Sequence, residues 1–193
     1  MDQGKQADLI DRAIEVAVEA HGGQKRKGTE TAYITHPFSV AVTLAKAGCS
    51  DEMIAAGILH DTVEDTPIDI EFLRKEFGVT VAFIVENCSE PAKSLPWEER
   101  KEHTLKSLKE APFPVRLISC VDKLHNIQTI AKEMNAVGDE IWHRFNRGKD
   151  KQKWYYEGLV KVLCDREDNG EYNPLFEKFR QEVERVFGKE DQE

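Results

Sequence analysis

Apolar residues recur at three- and four-residue spacing along most of the chain. The segment 6–20 shows this clearly, because Leu9, Ala13 and Ala17 fall on one helical face with charged residues between them. The same spacing predicts further helices, separated by Gly, Pro and polar residues. The predicted helices cover about 6–20, 36–47, 51–64, 69–77, 79–88, 97–110, 115–127, 137–146, 149–164 and 173–187.

Capping residues predict where several of these helices begin. Thr35 is the expected N-cap of the second helix, which would place His36 in its first turn or at the edge of that turn. Ser50 or Asp51 is expected to cap the central helix, and Gly78 to divide the two helices that follow it.

The fold class follows from the lack of predicted strands beside these helices. The sequence contains no series of alternating strand-like segments and no internal repeat. We therefore predict an all-α fold, a compact multi-helix domain spanning 1–193. Its core would cover about 6–165, its C-terminal helix about 173–187, and a frayed tail would follow.

Composition narrows the range of partners. The chain of 193 residues is 40% hydrophobic and 33% charged, as in globular proteins, and its formal net charge is −9. Such a charge argues against nucleic acid as a partner and requires a local positive site for any anionic ligand. No segment is long and apolar enough to span a bilayer, and the N-terminus does not resemble a signal peptide, so no membrane partner is expected.

The cysteines indicate the compartment. The four cysteines show no spacing typical of a zinc or disulfide framework. Free, mostly buried thiols in a reducing cytoplasm are therefore expected. The four cysteines are Cys49, Cys88, Cys120 and Cys164.

The sequence does not define the oligomeric state and leaves a homo-oligomer open.

Ionisable residues cluster directly after the apolar run 53–59. His60 and Asp61 come first, and Glu64 and Asp65 lie three and four residues beyond Asp61. On the predicted helix the three carboxylates share one face, where they repel each other unless a cation neutralises them. This spacing is a first indication of a metal site.

Two further polar residues lie beside apolar sequence in the same way. His36 precedes Pro37, and Asp122 follows Val121. Any one of them alone would more often be a cap or a satisfied core residue, but His36, His60-Asp61 and Asp122 together suit a metal ligand set. Two imidazoles and two carboxylates fit Mn²⁺, Fe²⁺ or Zn²⁺, with a coordination position left for a hydrolytic water.

These residues and their neighbours resemble a known family. The H…HD…D pattern is similar to the metal-binding pattern of HD-domain phosphohydrolases. The flanking sequence resembles, more specifically, the hydrolase domain of the RelA/SpoT homologue family, in a stand-alone small alarmone hydrolase form. The segments that carry this resemblance are Arg-Lys at 26–27, Tyr-Ile-Thr-His-Pro at 33–37, His-Asp-Thr-Val-Glu-Asp-Thr at 60–66 and Asp-Lys-Leu-His-Asn at 122–126.

The resemblance implies an activity. It implies Mn²⁺-dependent hydrolysis of the 3′-diphosphate of guanosine tetra- or pentaphosphate, (p)ppGpp, to pyrophosphate and GDP or GTP, with the small-molecule nucleotide as partner. Glu64 and Asp65 would handle the proton or orient the water, and which of them does so stays open. The competing interpretation is that both belong to a solvated helix end.

The resemblance also implies substrate contacts. Arg26 would lie on the base or the diphosphate, Lys27 would counter phosphate charge, and Asn126 would contact the nucleotide. Solvated charges and an ordinary buried amide are the alternatives for these residues. Tyr33 is expected either to form a pocket wall or to belong to the core.

Three other functions remain open at this point. One is an HD phosphohydrolase for another nucleotide, such as a 5′-nucleotide or a nicotinamide dinucleotide phosphate. A second is a metal-holding sensor without turnover, and a third is a structural helical bundle that binds no metal. Arg26, Glu64 and Asn126 together favour the alarmone hydrolase, because a generic nucleotidase does not need all three.

Overall fold

Helices form the regular structure of the part of the chain that the computed structural model describes, residues 3–91, 93–165 and 172–188. Within it the only other pairing is an isolated β-bridge between Lys25 and Ala32, so the predicted all-α class is confirmed. Of the predicted frayed tail, 188–193, residues 189–193 lie outside the described residues. The helices are α1 (Gln3–Ala20), α2 (Thr35–Lys46), α3 (Asp51–Leu59), α4 (Thr62–Asp65), α5 (Ile70–Cys88), α6 (Trp97–Glu110), α7 (Phe113–Val137), the 3-10 helix Gly138–Arg144, α8 (Lys149–Cys164) and α9 (Pro174–Phe187).

The backbone divides into two units, Met1–Ala92 and Lys93–Glu193. The first contains α1 to α5, and the second contains α6 to α9 with the 3-10 helix. The single domain predicted over the whole chain stays a prediction. No described helix has both the length and the apolarity needed to cross a membrane.

Helix α3 is the centre of the first unit. Every residue from Met53 to Leu59 is buried, and α3 packs against α1, α2 and α5. A helix that is apolar on all sides is stable only when other helices surround it. Its N-terminus is capped by Ser50, whose side chain accepts a hydrogen bond from the Met53 backbone, which confirms the Ser50 alternative of the capping prediction.

Gly57 allows α3 to approach α2 closely. A Cβ at this position would lie 2.5 Å from Leu44 Cδ1 and 3.4 Å from Val40 Cγ1. Leu44 and Val40 are fully buried, so neither side chain can move aside into solvent. The glycine therefore sets the distance between the helix that carries His36 and the helix that ends at His60.

A Gly57→Val variant is expected to be less stable than the wild type by about 2 kcal/mol or more. Its three added carbons overpack a close-packed helix contact, which costs about 1–3 kcal/mol in typical cores, and valine offsets little of this through helix propensity. Urea unfolding followed by circular dichroism measures the loss. Gly148→Ser is the control, since no described atom lies within 4 Å of a Cβ added there. Equal stability of the two variants would contradict the prediction.

The second unit is built on the long helix α7. It packs against α9 and the 3-10 helix, while α8 packs against α6 and α9. Aromatic rings fill the space near the C-terminus, with Phe187 contacting both Trp142 and Tyr156 at centroid distances of 5.3 and 5.7 Å. On α8, Tyr155 and Tyr156 are buried, whereas Trp154 is exposed. Tyr155 and Tyr156 therefore belong to the core of this unit.

The prediction of one central helix over 51–64 is wrong in one respect. The helix breaks at His60 and Asp61, which separate α3 from α4. The His60 Nδ1–H donates to the Gly57 carbonyl at 2.8 Å, and the Thr62 hydroxyl donates to the Leu59 carbonyl at 2.7 Å. Side chains thus occupy carbonyls at the end of α3 and compete with the helical bonds. The break removes Asp61 from α3 and leaves it at the start of α4.

Other helix boundaries also differ from the prediction. Thr35 is the first residue of α2 rather than its N-cap, and its hydroxyl donates to the Ala32 carbonyl. The segment predicted as a helix over 137–146 is a 3-10 helix, and α7 extends well beyond the predicted 115–127. Gly78 does divide two helical segments, with φ of +86°. His36 remains in the first turn of α2, as predicted.

The cysteines are free, as predicted, although burial differs among them. Cys120 is buried, whereas Cys49, Cys88 and Cys164 are half-buried. Burial raises the pKa of Cys120 well above its ordinary value and raises the pKa of Cys164 to about 12. These two thiols therefore stay protonated near neutral pH and are poor nucleophiles.

Candidate functional site

Two buried imidazoles meet one carboxylate in the first unit. His36 lies in the first turn of α2, His60 follows α3, and Asp61 precedes α4. His36 Nε2 lies 3.6 Å and His60 Nε2 lies 3.1 Å from Asp61 Oδ2. The two histidines are 1% and 4% exposed, so water solvates neither ring well. The structure thus brings His36 next to the His60-Asp61 pair that follows the apolar run.

The hydrogen bonding of His60 determines which of its ring nitrogens can bind a metal ion. Its Nδ1 lies 2.8 Å from the Gly57 carbonyl oxygen, which can only accept a hydrogen bond. The proton is therefore assigned to Nδ1, and Nε2 carries the lone pair. Metal-ligating histidines characteristically donate their other N–H to a carbonyl or carboxylate in this way.

The spacing of the cluster suits a single divalent ion. Ligand atoms of His36 and His60 lie within 4.8 Å of each other, and their rings meet edge-on with centroids 5.2 Å apart. Nitrogen and oxygen atoms bind such ions at about 2.0–2.2 Å, so small shifts would bring both imidazoles and Asp61 into one coordination sphere. The chain thus carries a candidate site for a divalent metal ion.

Tyr33 joins this cluster from the loop before α2. Its hydroxyl lies 2.6 Å from Asp61 Oδ2 and donates to it, and lies 3.4 Å from Asp65 Oδ2. Its ring meets His36 edge-on, with centroids 6.0 Å apart. The sequence leaves Tyr33 between pocket wall and core, whereas the structure places it half-buried against a candidate metal ligand.

The carboxylates of α4 are both half-buried. Glu64 Oε2 accepts a hydrogen bond from the Glu90 backbone at 3.2 Å, which ties it to the segment after α5. The Asp65 backbone carbonyl accepts from Gln24 Nε2 at 3.0 Å, and its carboxylate lies near the Tyr33 hydroxyl. Both side chains are thus held by protein contacts rather than fully solvated, as a plain helix end would be.

Arg26 and Lys27 occupy a turn between α1 and α2. Arg26 is half-buried, its backbone N–H donates to Thr31 at 2.8 Å, and its guanidinium lies 5.7 Å from the centre of the Tyr33 ring. Lys27 is exposed, and Gly28 closes the turn with φ of +73°. The contact with Tyr33 places Arg26 beside the residue that binds Asp61.

Asp122 and Asn126 are partners within the second unit. Asp122 lies on α7 and is 7% exposed. Asn126 Nδ2 donates to Asp122 Oδ1 at 2.6 Å, and Lys123 Nζ lies 2.8 Å from Asp122 Oδ2. A buried carboxylate needs such partners, and Asn126 in particular restricts its orientation. Asp122 also offers a carboxylate oxygen as a metal ligand.

Sequence reasoning missed three residues near these groups. The sequence pattern assigns no role to Lys123, although this lysine directly follows the candidate ligand Asp122. His21 and Gln24 gave weaker signals, since a histidine before two glycines at a helix end is ordinary. The structure buries His21 and connects it through Gln24 to Asp65.

Comparison with known proteins identifies the family. The model of the HD domain family matches residues 13–147. A protein of Danio rerio, named guanosine-3′,5′-bis(diphosphate) 3′-pyrophosphohydrolase MESH1, is 37% identical over 153 residues, covering 78% of this chain and 79% of its own length. An Aquifex aeolicus protein named guanosine-3′,5′-bis(diphosphate) 3′-pyrophosphohydrolase is 41% identical over 151 residues, covering 72% of this chain and 22% of that protein.

Several curated relatives are much longer than this chain. The chain spans about a fifth of their length, as with the GTP pyrophosphokinase of Streptomyces coelicolor, of which 20% is covered at 35% identity over 80% of this chain. The similarity to these long relatives therefore concerns a segment of each of them.

Solved structures agree with the family match. The protein lmo0812 of Listeria monocytogenes is 35% identical and superimposes with a TM-score of 0.75, covering 80% of this chain and 99% of that one. A metazoan ortholog of SpoT, described as hydrolysing ppGpp, is 25% identical with a TM-score of 0.75, over 93% of this chain and 96% of that one. The resemblance predicted from the sequence motifs is confirmed, and the chain belongs to the HD domain family, among the RelA/SpoT homologues.

Proposed function

We propose that this chain hydrolyses guanosine 3′,5′-bis(diphosphate), and its pentaphosphate analogue, at the 3′-diphosphate. The products are pyrophosphate and GDP or GTP. The observation that carries the proposal is the meeting of two buried imidazoles, His36 and His60, with the half-buried Asp61 carboxylate. The Danio rerio relative, covered over 79% of its length, is named for this reaction, which supports the same activity here.

The metal ligands in this proposal are His36, His60, Asp61 and Asp122. The first three lie together in the first unit, and Asp122 is the buried carboxylate of the second. Two imidazoles with two carboxylates favour a transition ion of borderline or harder character, and Mn²⁺ is the ion proposed. The fixed Nδ1–H of His60 fits this role, because it presents Nε2 to the ion.

Hydrolysis requires charge neutralisation, a nucleophilic water and proton transfer. A bound divalent ion supplies a lowered water pKa and polarises the phosphoryl group. Glu64 or Asp65 orients the attacking water or moves its proton, since each residue is half-buried and is held by a hydrogen bond, Glu64 through its carboxylate and Asp65 through its backbone carbonyl. Tyr33 keeps the Asp61 carboxylate oriented through its hydroxyl.

The proposed substrate contacts match the negative charge of the nucleotide. Arg26 binds the base or the diphosphate, and its contact with the Tyr33 ring limits its motion. Lys27 is exposed and offsets phosphate charge. Asn126 contacts the nucleotide and orients Asp122 through its amide. A local basic pair of this kind is what a chain with a net charge of −9 needs to hold a polyanion.

A cytoplasmic location belongs to the same proposal. Free cysteines with protonated thiols suit a reducing compartment. The partner is a small-molecule nucleotide, and neither nucleic acid nor a membrane is needed for the reaction.

Product analysis tests the proposed function. Purified protein, stripped of metal and then supplied with Mn²⁺, is expected to convert guanosine tetraphosphate into GDP and pyrophosphate in equal amounts, as chromatography will show. A nucleotide panel without guanosine tetraphosphate serves as the comparison.

Each alternative predicts a different result. Orthophosphate release from a 5′-nucleotide or a nicotinamide dinucleotide phosphate, without pyrophosphate, would indicate another HD phosphohydrolase. Metal binding without turnover of any nucleotide would indicate a sensor. A protein that binds no divalent ion would be a structural bundle.

A further inference from the structure

A buried histidine outside the ligand set is linked to the site. His21 follows α1 and is 2% exposed. Its Nδ1 lies 2.9 Å from Gln24 Oε1, and Gln24 Nε2 lies 3.0 Å from the Asp65 carbonyl oxygen. The carbonyl can only accept, so the Gln24 amide nitrogen faces Asp65 and its oxygen faces His21. His21 therefore donates through Nδ1–H, and its tautomer is determined by this chain of bonds.

The same pair also contacts Tyr33. The His21 and Tyr33 rings are 4.9 Å apart between centroids, and the Tyr33 backbone N–H donates to the Gln24 carbonyl at 2.9 Å. Tyr33 in turn donates to Asp61 through its hydroxyl. His21 and Gln24 thus hold Tyr33 by its ring and backbone, and hold Asp65 by its carbonyl.

The other ring nitrogen of His21 shows why a histidine here is unusual. Nε2 is buried and has no hydrogen-bond partner among the described residues. Burying a polar atom in this way is unfavourable, and an apolar side chain would fill the space without that cost. Nδ1–H, in contrast, forms a hydrogen bond to Gln24, which an apolar side chain could not form. This hydrogen bond is therefore the interaction that explains a histidine at position 21.

We propose that His21 is a positioning residue, which acts with Gln24 to orient Tyr33 and α4 and so to place Asp61 and Asp65. Its side chain contacts Gln24 and Tyr33, and its effect on the site passes through these two residues. As a contribution to hydrolysis, this role rests on the proposed function. As a contribution to metal affinity, it is measurable without turnover.

Two amide substitutions at position 21 distinguish the contributions of the two ring nitrogens. In His21→Asn the amide nitrogen can take the place of Nδ1 and donate to Gln24, whereas in His21→Gln it takes the place of Nε2 and cannot. Supporting contacts behind metal ligands are typically worth about 10–100-fold in affinity or activity. We therefore expect His21→Gln to weaken Mn²⁺ binding and to lower kcat about 10-fold, with His21→Asn within about 3-fold of the wild type.

The Mn²⁺ affinity is measured by titration with electron paramagnetic resonance of the free ion, next to kcat, KM and the melting temperature. His103→Gln is the matched control, because His103 is an exposed residue of α6. Equal metal affinity and equal kcat in His21→Gln and His21→Asn would overturn the proposal, even if both melt at lower temperature, because a purely structural role predicts that result.

A second variant keeps the proposal testable if His21→Gln does not fold. Gln24→Glu retains an acceptor for His21 and removes the donor to the Asp65 carbonyl, so it should show the same losses in metal affinity and kcat. Wild-type affinity and rate in Gln24→Glu would overturn the proposal. A wild type that binds Mn²⁺ without hydrolysing guanosine tetraphosphate would refute the proposed function alone, since the affinity difference between the two His21 variants would still be measurable.

Discussion

Replacement of Asp61 by asparagine is expected to abolish the rise in melting temperature that Mn²⁺ produces in the wild type. A ligand at 100 times its Kd stabilises the folded state by about 2.7 kcal/mol, so loss of binding is readily seen by thermal unfolding. We also expect kcat/KM for guanosine tetraphosphate to fall at least about 100-fold, because the variant replaces a carboxylate ligand by a neutral amide and loses the charge that balances the ion.

The geometry explains why this carboxylate matters most. Asp61 Oδ2 lies 3.1 Å from His60 Nε2 and 3.6 Å from His36 Nε2, and it accepts from the Tyr33 hydroxyl at 2.6 Å. Asparagine preserves the size of the side chain, so the fold should be retained. Asp11→Asn, at an exposed position of α1, is the matched control. An Asp61→Asn variant with the full Mn²⁺-dependent thermal shift would show that Asp61 is not a ligand.

The elements around this site follow from local signals in the sequence. The apolar run Met53–Leu59 requires a buried helix, Ser50 caps it, and Gly78 interrupts the later helix with a backbone conformation that favours glycine. Such signals act within a few residues, so spacing alone could predict them. The adjacent pair His60-Asp61 is likewise visible as polar chemistry directly after a segment that must be buried.

The break of the central helix could not be predicted in the same way. The helical pattern continues through His60 and Asp61 into Val63, and nothing in it indicates that His60 and Thr62 take the carbonyls of Gly57 and Leu59. Those bonds depend on the rotamers that the packed surroundings allow. Sequence periodicity reports which face is apolar, not which of two polar groups binds a carbonyl.

The residues that support the candidate ligands could not be predicted from the sequence for a related reason. The partner of the Tyr33 hydroxyl lies 28 positions away, and the partner of the Gln24 amide lies 41 positions away. Contacts of this range depend on how α1, α2 and α4 pack, which no local motif describes. The candidate ligands were recognisable by residue type, whereas the residues that orient them could be found through their contacts.

Replacement of Glu64 by glutamine and of Asp65 by asparagine is expected to identify the residue that handles the proton. General acid–base groups typically contribute about 10²–10⁴-fold to the rate, so at least one variant should lose kcat by that factor. Neither residue is a proposed ligand, so Mn²⁺ affinity should stay within a few-fold of the wild type. The larger loss of kcat assigns the acid–base role between the two.

Both amides preserve the contacts that the structure shows. A glutamine at 64 can still accept from the Glu90 backbone, and an asparagine at 65 leaves the backbone carbonyl that accepts from Gln24 unchanged. A fall in rate at unchanged metal affinity would therefore reflect lost proton transfer rather than lost packing. If both variants retained kcat within about 3-fold, far below the usual acid–base contribution, neither carboxylate would act in proton transfer, and the water would have to be activated by the metal centre alone.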